Sequence, residues 1–99
     1  MPEEVKIEGK NSIIHKFYYP EYDVIISLHV WKDFYGQKNF LNEIVINTPK
    51  YLTRDEFNKI REIATELGEK LYNRRVPAIV VRQTEEFFRH RIREEFNLQ

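Results

Sequence analysis

The chain opens with short runs in which β-branched and aromatic residues alternate with polar ones. Residues 12–19 and 22–32 are of this kind, and the pattern predicts two strands. Pro20-Glu21 separates them. With a two-residue loop, Tyr19 stands opposite Tyr22, Phe17 faces Val24, His15 faces Ile26 and Ile13 faces Leu28. Directly opposed residues share a face. One face then carries Ile13, His15, Phe17, Val24, Ile26, Leu28 and Val30, and is nearly all apolar. A slip of one residue would mix the faces. A longer loop is the alternative, because Pro-Glu is not a preferred tight turn.

A third strand is expected at 40–47, with Phe40, Ile44 and Ile46 on its core side. Residues 33–39 before it read as a turn-rich loop. Residues 4–9 alternate polar and apolar and suit a sheet edge. Thr48-Pro49 ends the strand region. Thr53-Arg54-Asp55-Glu56 then matches a capping box. Phe57, Ile60, Ile63/Ala64, Leu67 and Leu71 follow at helical spacing, which predicts a helix over 54–74. Gly68 weakens it slightly. Asp55 with Lys59, and Glu66 with Lys70, have the spacing of favourable pairs.

Val76-Pro77 breaks the helix. Residues 78–82 read as a strand or as a helical turn beginning at Pro77. Thr84 is a candidate cap, and Phe88, Ile92 and Phe96 form the stripe of a terminal helix over 85–97. The fold class expected is α+β in a single domain spanning 1–99. An antiparallel sheet of three to five strands from the N-terminal half is packed with two or three helices from the C-terminal half.

Composition narrows the function. There is no cysteine among the 99 residues, which excludes thiolate catalysis and cysteine-built metal centres. The N-terminus lacks the pattern of a signal peptide, and no apolar run is long enough for a membrane span. A cytoplasmic protein is the expectation. Abundant Glu, Lys and Arg with little Gln lean towards a thermophile, and seven Asn argue the other way.

Sixteen basic residues balance sixteen acidic ones. That disfavours a globally cationic nucleic-acid binder. The balance is uneven along the chain. All eight Arg fall after residue 53, and six of them lie within 74–93 against only Glu85 and Glu86. Arg74, Arg75, Arg82, Arg89 and Arg93 are therefore candidate anion- or nucleic-acid-binding residues, since guanidinium forks match phosphate oxygens. The competing reading is a solvated, ion-paired helix, with Glu85 to Arg89 and Arg91 to Glu95 quenching the charge.

The second sheet face carries Ile14, Lys16, Tyr18, Ile25, Ser27, His29 and Trp31. It is too apolar for a plain solvent face. Ile14, Tyr18, Ile25, His29 and Trp31 are accordingly the candidate interface, for self-association or another protein. The competing reading is that the terminal helix covers them. His15 and His29 fall on opposite faces and cannot share a metal. His90, between Glu86 and Glu94 at four-residue spacing, lacks further ligands, so no metal or other cofactor is expected. No glycine-rich phosphate loop or nucleophile elbow is present, so no enzymatic activity is expected.

The whole chain resembles the small proteins of archaeal filamentous and rod-shaped DNA viruses, the lipothrixviruses and rudiviruses. The likeness lies in its length, its Ile/Lys/Glu/Tyr-rich cysteine-free make-up, and strands followed by the capped run Thr53-Arg54-Asp55-Glu56-Phe57-Asn58-Lys59-Ile60-Arg61-Glu62-Ile63. The resemblance implies a heat- and acid-tolerant protein in an archaeal host cell, with a host protein as a further candidate partner. The expected function is non-enzymatic binding by self-association, with nucleic-acid binding as the alternative.

Overall fold

The computed structural model describes residues 2–83 and 93–96. Five strands, β1 (Glu3–Glu8), β2 (Ser12–Tyr19), β3 (Val24–Phe34), β4 (Gln37–Thr48) and β5 (Ile79–Gln83), form one sheet in the order β1-β2-β3-β4-β5. One long helix, α1 (Arg54–Tyr72), lies between β4 and β5 in the chain. Residues 93–95 are also helical and Phe96 forms a bend; the other residues of the helix expected over 85–97 lie outside the described residues.

The first four strands are antiparallel neighbours, but β5 runs parallel to β4. The sheet is therefore mixed rather than antiparallel. The reason is the connection: α1 carries the chain back along the sheet before β5 begins, and such a crossover delivers a parallel neighbour. Residues 79–83 form a strand rather than a helical turn.

The β2–β3 loop is Pro20–Asp23, so Tyr19 pairs with Val24, Phe17 with Ile26 and His15 with Leu28. This is two residues away from the tight-loop register. A shift of two preserves which side each residue faces, so the two face groupings hold. The β3–β4 connection is far shorter than the expected loop. Only Tyr35 and Gly36 lie between the strands, both with positive φ (49° and 89°), as a primed two-residue hairpin turn requires. Asp33 accepts the Gly36 N–H at 2.8 Å and pairs with Lys38 across it.

A bulge corrects one expected core position. His29 pairs with Glu43, but Val30 pairs with Leu41, so Asn42 is an extra residue on β4. Alternation is reset there. Leu41 joins Ile44 and Ile46 in the core with no exposed area, and Phe40 is displaced to a half-buried position stacked on Phe34.

The capping box forms as the sequence predicts. Thr53 Oγ1 accepts the Glu56 N–H, and the Glu56 carboxylate accepts the Thr53 N–H. The helix stops at Asn73, whose left-handed backbone (φ 54°) and N–H to the Glu69 carbonyl close the last turn. Its core stripe is Ile60, Ala64 and Gly68. Tyr72 also packs on the core, whereas Leu71, expected there, is exposed. Neither expected pair along the helix forms. The ion pairs sit instead at its ends, Lys50 with Glu56 and Arg75 with Glu69. Among the described residues, no helix is long and apolar enough to cross a membrane.

Candidate functional site

The five residues of the candidate interface do share the sheet face turned away from α1. Ile14 pairs with His29 and Tyr18 with Ile25, with Trp31 two residues beyond His29. They do not share one exposed patch. Phe96, itself buried, packs on Ile25 with Val5 and Tyr18 around it, and its ring lies 5.9 Å from that of Tyr18. Beside it the Lys16 ammonium reaches both carboxylate oxygens of Glu95 at 2.7 Å. Ile25 has no exposed area, so it is unavailable to a partner. The C-terminal segment thus covers the Tyr18/Ile25 end of this face.

The other end is open. Trp31 is 41% exposed, and Ile7, paired with Ile14 and so on the same face, is 42% exposed. Beside them lies a hollow of about 250 Å³, lined among others by Ile14, His29, Trp31, Asn42 and Glu43. The bulge residue thus forms part of its wall. Ile7 was not singled out from the sequence, although the alternation of Val5 and Ile7 in β1 already placed both on one side.

His29 Nδ1 lies 3.3 Å from Glu43 Oε2, with both side chains about one third exposed. Burial pushes the imidazole below its ordinary pKa, and Glu43 opposes that. Arg82 and, more weakly, Lys16 add to the lowering.

His15 stands on the opposite, helix-facing side. Its two nitrogens meet the Glu4 carboxylate and, at 3.0 Å, the Tyr72 hydroxyl. A carboxylate–imidazole–phenol chain could relay a proton, but none of the three residues lines the hollow beside Trp31. Its role is to tie β1, β2 and α1 together. The two histidines cannot share a metal, and among the described residues no cluster of three or more His, Asp or Glu has metal-binding geometry.

The arginines do not converge either. Arg74 lies over the Phe40 ring at 4.2 Å, and Arg75 pairs with Glu69 at 3.5 Å, both just beyond the end of α1. Arg82 is exposed on β5 opposite Asn47, whose partner on β3 is Ile25, which places it on the other face of the sheet. Arg93 is exposed in the short helical stretch near Phe96. Arg89 and His90 lie outside the described residues. The crossover through α1 and β5 leaves Arg74 and Arg75 at the end of α1 and carries Arg82 to the far face, the face on which the segment of Arg93 and Phe96 packs.

Comparison with known protein families, with curated proteins and with solved structures finds no match.

Proposed function

We propose that this chain is a non-enzymatic binding protein that self-associates through the Ile7/Ile14/His29/Trp31 end of the open sheet face. The observation that carries this reading is the hollow beside the protruding tryptophan. At about 250 Å³ it is smaller than the usual small-molecule site and of a size for one large side chain. A two-fold contact needs one patch that holds both a knob and a hole. Trp31 and the hollow it borders provide the two together. Nucleic-acid binding has weaker support, because Arg74 and Arg75 are engaged at the end of α1, away from the far face that carries Arg82.

Trp31 is the single tryptophan, so its emission reports on this patch alone. Sedimentation over a concentration series is expected to give a dimer or larger species, with a blue shift of the emission as it forms. Trp31→Glu, or Ile7→Lys where fluorescence must be kept, should leave a folded monomer by circular dichroism. A monomer at every concentration with unshifted emission refutes the proposal.

A further inference from the structure

The two edges of the sheet differ in kind. β1 carries Glu3, Glu4, Lys6 and Glu8 in six residues. Charges of this density discourage another strand from pairing there. β5 begins Ile79-Val80-Val81 and bears one charge, Arg82. Val80 and Val81, on opposite sides of the strand, are 37% and 43% exposed. β5 ends the strand order, so its outer backbone edge has no strand partner among the described residues.

A groove of about 960 Å³ lies between α1 and residues 75–79, the stretch that leads into β5, and meets the strand at Ile79. Its apolar lining residues include Phe57, Val76, Pro77 and Ile79, set among polar ones. Its helical wall carries Glu62 and Glu66, one turn apart. Among the described residues neither enters an ion pair. Of the two arginines of the groove, Arg75 pairs with Glu69, and Arg61 lies over the Phe57 ring and keeps its charge, so Glu62 and Glu66 outnumber the one unpaired guanidinium. Ile79 pairs with Ile44 and Val81 with Ile46, so both point to the α1 side. A strand added outside β5 would send every second side chain to that same α1 side, on which the groove opens at Ile79.

We propose that β5 and this groove take up an extended segment of a partner protein as a sixth strand. Backbone hydrogen bonds to β5 would hold it, and its groove-facing positions would carry apolar and basic side chains in turn. The basic positions meet Glu62 and Glu66, and the apolar ones meet the apolar lining residues. A second copy of this chain fits less well. Its own β5 would offer Ile79, Val81 and Gln83 on that side, which leaves both carboxylates without a cation.

The probe is a fluorescein-labelled octapeptide, Thr-Val-Thr-Lys-Thr-Val-Thr-Lys, followed by anisotropy against the full chain at low salt. Saturable binding is expected. Binding should weaken by about tenfold or more when glutamate replaces lysine in the peptide, and be lost when alternate peptide nitrogens are methylated. Glu62 and Glu66 are exposed, so the double variant Glu62→Lys/Glu66→Lys should fold and reverse the preference between the two peptides. Trp31→Glu should leave peptide binding unchanged, which separates this site from the self-association patch. Equal binding of the lysine and glutamate peptides, full binding of the methylated one, or no binding overturns the proposal. So does a dimer that Val81→Lys dissociates, since a second copy would then occupy the edge.

Discussion

Replacing Gly68 by alanine sets two effects against each other. In an exposed helix the change stabilises by about 1 kcal/mol, because glycine is a poor helix former. Gly68 is not exposed: it ends the buried stripe of α1 that rests on β4. A Cβ placed there would lie 2.8 Å from Leu41 Cδ2, 3.1 Å from the Arg74 carbonyl oxygen and 3.3 Å from Ile44 Cδ1. Ordinary carbon contacts are about 3.5–4.0 Å. Leu41 and Ile44 are fully buried and have little room to move, and the carbonyl is backbone. Overpacking of this kind costs about 1–3 kcal/mol, and three crowded neighbours place Gly68 in the upper part of that range. The expected net effect is a loss of about 1–2 kcal/mol, or a drop of roughly 5–10 °C in Tm for a domain of this size. Urea denaturation of the variant measures it. The companion is Gly68→Ala in a Leu41→Ala background. There the worst contact is gone, so the alanine should be neutral or stabilising, with a coupling of about 1 kcal/mol or more. A stabilised single variant, or additive single and double variants, would refute the close-approach reasoning.

Two further outcomes follow from charged groups on the far face. Lys16 is buried against Glu95, so Glu95→Ala strands an ammonium and should cost about 2–4 kcal/mol, whereas Lys16→Met should be near neutral, both read by denaturant midpoints. His29 has a depressed pKa, so the unfolded chain binds more protons than the folded one as pH falls through about 6.5. Its contribution is complete above that pH and is lost below it, down to the folded pKa. Thermal melts between pH 7.5 and 5 should therefore fall less steeply for His29→Asn, and identical slopes would refute the assignment.

Local chemistry determined a large part of this fold. The capped start at Thr53, the stop near Asn73 and the two faces of β2 and β3 each depend on residues within a few positions of one another. Alternation survived even a two-residue error in loop length, because only an odd shift exchanges the faces. Other features needed the assembled chain. The direction of β5 depends on where α1 delivers it. The bulge at Asn42, which exchanges Phe40 for Leu41, leaves no mark in propensity, since both residues are apolar. Gly68 reads as a weak helical residue until β4 is beneath it. The interface looked continuous along β2 and β3, yet Phe96, far away in sequence, covers Ile25, while Trp31 stays exposed. Periodicity assigns a residue to a side of its own element. What lies against that side is a long-range choice, made by packing.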